Sequence, residues 1–167
     1  VLDPDGLLAV ARLLLDETTA PVTDAGIRRA VSTAYYALFH TILRAAADRF
    51  AGTGHETSAA FGLIYRSFDH RQMADVCKRL RASTLSDAMK RPLRRDAVSQ
   101  DIRDFASAFA AMQDACHLAD YDPAAVFEPS DAGNLIEAAE NAIAAFGRAE
   151  SAEQADILAL LMVKPRT

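Results

Sequence analysis

Apolar residues recur along this chain at helical rather than strand spacing. Leu7, Leu8, Ala11, Leu14 and Leu15 form one stripe, and Asp3 followed by Pro4 gives it a helix start, so a first helix is predicted over residues 4–17. Residues 18–23, with Pro21, read as a turn. Ile27, Val31, Ala34, Leu38 and Ile42 form a second stripe, on a helix predicted over 24–50 and closed by Gly52 and Gly54. Further helices are predicted over 57–67, over 70–81 behind an Asp69 cap, and over 99–119 with Ser99 as N-cap. The last of these carries Ile102, Phe105, Phe109, Met112 and Cys116 on one side. Residues 82–98, with Pro92 and scattered Ser and Arg, read as an irregular loop with room for one short turn. Pro123 and Pro129 bracket an extended connector. A final helix starts at Ser130 or Asp131, carries Leu135, Ala139, Ile143 and Phe146 at core spacing, and runs to Val163.

These elements predict an all-α fold: an antiparallel up-and-down bundle of five to six helices with a long C-terminal helix, in one domain over residues 1–167. Composition agrees. Alanine makes up about a fifth of the chain, 51% of residues are hydrophobic, and β-branched runs are nearly absent. The end of the last helix, residues 157–163, is apolar all round and must be covered. A partner subunit in a homodimer is the favoured cover, and packing on the same chain is the alternative.

No stretch reaches the roughly 18 to 20 apolar residues of a membrane span. No basic segment precedes the Leu-rich start, so a signal peptide is not expected. Cys77 and Cys116 lack paired-ligand spacing and are expected as buried thiols in a reducing cytoplasm. The four histidines, His40, His55, His70 and His117, are dispersed without helical ligand pairs, so neither a metal nor another cofactor is expected.

Charge is uneven. Between Lys78 and Arg95, seven cations against the single acid Asp87 give +6 and leave −11 on the rest of a chain whose net charge is −5. The segment reads either as a solvated connector or as a phosphate-contacting patch, with Arg91, Arg94 and Arg95 as candidate RNA contacts.

The second helix also carries an unusual polar stripe. Arg28, Ser32, Tyr36, His40 and Arg44 recur every fourth residue where a solvated face would carry Glu, Lys and Gln. In the fifth predicted helix Gln113, His117, Asp120 and Tyr121 fall at i, i+4, i+7 and i+8 and share one face. If these helices pack antiparallel, Arg29, Ser32, Tyr36 and His40 face that set across one groove. Imidazoles, phenols and a guanidinium there could bind a phosphate or position a 2′-hydroxyl, and a histidine near pH 7 can exchange the proton such a cleavage needs. Tyr35 is expected in the core, and His70 in the first turn of its helix.

Residues 28–40, Arg-Arg-Ala-Val-Ser-Thr-Ala-Tyr-Tyr-Ala-Leu-Phe-His, followed by residues 119–122, Ala-Asp-Tyr-Asp, resemble the HEPN superfamily of small helical bundles. The resemblance spans about residues 4–150. It implies dimerisation, and either a metal-independent ribonuclease toxin or a non-catalytic binding module. Such chains occur in toxin–antitoxin or defence settings, with a nucleotidyltransferase or antitoxin protein as partner. Catalytic members carry Arg, four to six residues, then His. Here Cys116 stands in the place of that Arg and Tyr121 in the place of that His. A thiol cannot stabilise developing phosphorane charge as a guanidinium does. The departure favours a binding module for RNA or a nucleotide, while His117 and Tyr121 are the candidate catalytic pair for a ribonuclease with a drifted site.

Overall fold

The computed structural model describes residues 2–163 and folds them into eight α-helices, with no strand among those residues. They are α1 (Pro4–Leu13), α2 (Asp24–Ala51), α3 (Ala59–Tyr65), α4 (His70–Leu80), α5 (Asp87–Leu93), α6 (Gln100–Tyr121), α7 (Pro129–Arg148) and α8 (Ser151–Met162). The all-α helical bundle expected from the periodicity is the observed class.

The long α2 is the centre of the bundle, packing against α1, α3, α6, α7 and α8. Thr23 starts it by accepting from the Gly26 N–H at 3.1 Å. Gly52 ends it with φ 95°, a region that disfavours side chains, and a Cβ there would sit 3.1 Å from the His55 ring. Ala30, Ala34, Ala37, Ala46 and Ala47 are completely covered, so small side chains let the surrounding helices approach its backbone closely. One apolar cluster runs from Leu8 through Leu38, Met73, Phe105 and Ile136 to Leu161. A smaller one joins Ile27, Ala30 and Val31 of α2 to Ala119 and Ala132.

Three expectations are corrected. Helix α1 ends at Leu13 rather than at residue 17, and Asp16 then closes a turn by accepting from the Thr18 N–H at 2.9 Å. Residues 82–98 are better ordered than a loop. Leu85, Met89, Leu93 and Val98 are buried in the main core and anchor the short α5, which Pro92 and the left-handed Arg94 (φ 52°) bring to an end.

The third correction concerns the C-terminal helix, which is two helices. Ala149 is extended (ψ 151°), and the Gln154 amide lies 2.8 Å from the carbonyl of Phe146 and 2.9 Å from that of Ala149, capping the end of α7. One side of the apolar segment beyond the break packs on its own chain. Ile157, Leu158 and Leu161 are buried, and Gln72 of α4 donates to the Val163 carbonyl at 2.6 Å. Ala159, Leu160 and Met162 are only partly buried, and Val163 is 61% exposed.

The break also buries a charge. Glu153 is 4% exposed and accepts from the Arg95 guanidinium and from the Ser99 N–H, both at 2.9 Å, while Arg95 also pairs with Asp156. Removing the guanidinium leaves a buried carboxylate short of its counter-charge. Arg95→Ala is expected to cost about 3 kcal/mol of stability. Arg91→Ala, at an exposed position, should cost under about 0.5 kcal/mol. Urea unfolding of both variants beside the parent chain checks the contrast.

Candidate functional site

Helices α2 and α6 run antiparallel, because the start of α2 meets the end of α6. Arg28, largely buried, reaches the carbonyls of Ala119 at 3.1 Å, Asp122 at 3.0 Å and Ala125, and pairs with Asp24 at 3.0 Å. Its charge thereby satisfies the open carbonyl end of α6. One turn further along α2, the fully buried Ser32 hydroxyl donates to the Asp120 carboxylate. The Cys116 sulfur lies 3.7 Å from the other oxygen of that carboxylate.

The next turn of α2 meets α4. The buried Tyr35 hydroxyl lies 2.8 Å from His70 Nδ1, and the Phe39 ring stacks on the His70 imidazole with centroids 3.8 Å apart and an interplanar angle of 14°. His40, a turn later, bonds through Nδ1 to the Tyr65 hydroxyl of α3 at 2.8 Å.

These contacts frame a cleft of about 220 Å³ lined by Tyr35, Tyr36, His70, Gln113, Cys116, His117, Asp120 and Tyr121. Its mouth is marked by Tyr121, which is 75% exposed, with its ring 5.1 Å from that of His117. Burial, reinforced by the Asp120 charge, pushes the Cys116 thiol up to about 12. The sulfur is therefore a neutral S–H at pH 7. Burial also raises the Tyr35 and Tyr36 phenols above their ordinary value. It lowers the His70 imidazole, against an opposing pull from Asp69. The wall of the cleft is thus made of a protonated thiol, phenols, imidazoles and an amide, with Asp120 already engaged by Ser32.

Of the residues singled out from the sequence, Tyr36, Gln113, His117, Asp120 and Tyr121 line this cleft, and Ser32 supports it from beneath through Asp120. Arg29 is exposed on α2, near enough for its charge to oppose the upward shifts at Tyr36 and Cys116. His40 is not a lining residue, since its ring is turned to Tyr65. Arg91, Arg94 and Arg95 lie outside the cleft. Arg91 and Arg94 are exposed, whereas Arg95 is held by Glu153 and Asp156.

His70, Tyr35 and Cys116, the last expected only as a buried thiol, are the additions. His70 heads the buried stripe Met73, Ala74, Cys77 and Leu80, at i+3, i+4, i+7 and i+10 from it. That spacing was the available signal that its ring faces inward. With this geometry in place, comparison with protein-family models, curated proteins and solved structures gave no match.

The two partly buried imidazoles have a consequence for stability. Burial lowers both His40 and His70, with His70 lowering His40 further. Below about pH 6.5 the unfolded chain takes up protons that the folded chain does not yet bind. Stability is therefore complete above that value and falls as pH drops from it toward the folded-state values. Urea unfolding should show a lower midpoint at pH 5.5 than at pH 7.5. The double variant His40→Gln, His70→Gln should lose most of that difference, whatever its midpoint at pH 7.5.

Proposed function

We propose that this chain is a HEPN-type helical binding module, working as a homodimer, that takes RNA or a nucleotide in the cleft between α2, α4 and α6. The observation that carries this reading is the character of the cleft wall. Ring faces and hydrogen-bonding groups line it, and a protonated Cys116 stands where the family's catalytic arginine would be. Tyr36 and Tyr121 offer faces on which a base can stack. Gln113 offers both an amide donor and an acceptor for a base edge, and Asp120 has acceptor capacity beyond its bond to Ser32. None of the lining residues is Lys or Arg, so developing charge on a phosphorane would meet neither a guanidinium nor an ammonium there. A toxin–antitoxin or defence setting, with a nucleotidyltransferase or antitoxin protein as partner, belongs to the same proposal.

One observation favours a second reading, a metal-independent ribonuclease. His70 and His117 line the same cleft, and two imidazoles can act as base and acid in turn. Incubating the purified protein with mixed transfer and messenger RNA, without added metal, separates the two readings. The expected result is RNA bound and left intact. Cleavage that disappears in a His117→Ala, Tyr121→Phe double variant would replace the binding module with a drifted nuclease. Sedimentation of the same sample should give a dimer.

The basic segment has its own test. Arg91 and Arg94 are exposed on α5 and just after it. Arg91→Ala with Arg94→Ala should reduce the salt slope of RNA binding by about two if both contact phosphates. An unchanged slope removes them from the interface.

A further inference from the structure

The cleft does not stand alone. A groove of about 720 Å³ between α4 and α6 adjoins it, and Gln113 and His117 line both. The two depressions differ in chemistry. The cleft is aromatic, and its one carboxylate, Asp120, is already bonded to Ser32. The groove carries two cations, Arg71 and Lys78, spaced two turns apart on the outer side of α4. Asp75 and Asp114 also lie in it. Lys78 reaches Asp114 at 3.2 Å, with the two side chains 40% and 59% exposed. An exposed pair of this kind is worth under about 1 kcal/mol, so a phosphate can take over the ammonium at small cost. Arg71 is exposed and has no side-chain acceptor among the described residues.

Size points the same way. The cleft lies below the ~300–1,000 Å³ typical of small-molecule sites, while the groove lies inside that range. The cleft suits one planar ring, and the groove suits whatever that ring carries. Resting on the reading of the cleft given above, we propose that cleft and groove are two subsites for one nucleoside phosphate: its base enters beside Tyr36 and Tyr121, and its phosphate lies against Arg71 and Lys78. Gln113 and His117, at the junction, face the sugar. This moves the phosphate contact from the basic stretch around α5 to α4.

The test titrates the full chain, at fixed low salt, with the four ribonucleoside 3′-monophosphates, the matching nucleosides and inorganic phosphate. At least one monophosphate should bind about tenfold or more tighter than its nucleoside. Arg71→Ala with Lys78→Ala should abolish that preference and leave nucleoside affinity unchanged. Tyr121→Ala should weaken nucleoside and monophosphate by the same factor, about fivefold or more. All three positions are exposed, so thermal melts should confirm that the variants fold.

Equal affinity for monophosphates and nucleosides, or a preference that survives the α4 double variant, would overturn the proposal. RNA binding that persists alongside such a result would leave the binding module standing without these subsites. Absence of binding to RNA and to every small probe would remove both. A pentaribonucleotide that binds tighter than any monophosphate would identify the source of the phosphate as a strand, and the reverse as a free nucleotide. In either case the α4 double variant should weaken the tighter ligand.

Discussion

The burial of α2 is the constraint on which the rest of the structure depends. A helix with five neighbours leaves only a narrow side, with Arg29, Arg44 and Arg49, open to water, so the polar side chains it covers must find partners on a neighbouring element or on its own backbone. Arg28 takes the carbonyl end of α6, Ser32 takes Asp120, Tyr35 takes His70 and His40 takes Tyr65. Thr41 returns to the Ala37 carbonyl at 2.9 Å. Among the described residues no buried side-chain nitrogen or oxygen lacks a partner. These bonds also fix relative position. Ser32–Asp120 sets the register of α6 against α2, and Tyr35–His70 sets that of α4. The cleft is the space left where these three helices meet, so its geometry follows from the hydrogen bonds that let α2 be buried.

That constraint also explains what the sequence could and could not disclose. Helices with strong apolar periodicity and a capping residue were legible, as at Asp3, Asp69 and Ser99, each of which accepts from a first-turn N–H. Half the candidate site was legible too, since Gln113, His117, Asp120 and Tyr121 share a face of α6 whatever lies opposite. The division of α2 into an apolar and a polar face was a less reliable guide. Ser32 belongs to the polar stripe yet is fully buried, and His40 belongs to it yet faces α3. Periodicity reports which residues share a side, whereas burial depends on how many neighbours surround the helix. The break after Arg148 was invisible for a related reason. The local sequence is alanine-rich and helix-compatible, and the stop is made by Gln154 folding back and by Glu153 reaching Arg95, contacts that exist only in the folded chain.

The same distinction changes the meaning of the basic segment. Counted along the chain, residues 78–95 look like a concentrated field. In the fold the charges are dispersed among local obligations. Lys78 faces Asp114, Lys90 faces Asp96, and Arg95 faces the buried Glu153 and Asp156. A run of like charge is an electrostatic footprint only where the acids elsewhere in the chain do not return to meet it. Here several do, from α6, from the loop after α5, and from α8.

The choice between binding and cleavage turns on where cationic charge can be delivered. Metal-free cleavage of an RNA backbone needs a donor aimed at the phosphorane as well as groups to move protons. The cleft has proton-transfer groups in His70 and His117. Its thiol stays neutral because burial and Asp120 both oppose its ionisation, and ionisation would in any case add a negative charge. Arg28 cannot serve, since its guanidinium closes the carbonyl end of α6, and withdrawing it would leave those carbonyls open. Arg29 is exposed and lines neither the cleft nor the groove. The cations that share a depression with His117 are Arg71 and Lys78, in the adjoining groove rather than in the cleft. Charge placed there lies beside His117, which lines the groove as well as the cleft, and apart from His70, which lines the cleft alone. Under the proposed reading a phosphate there would have one imidazole beside it, whereas acid–base cleavage in turn calls on two.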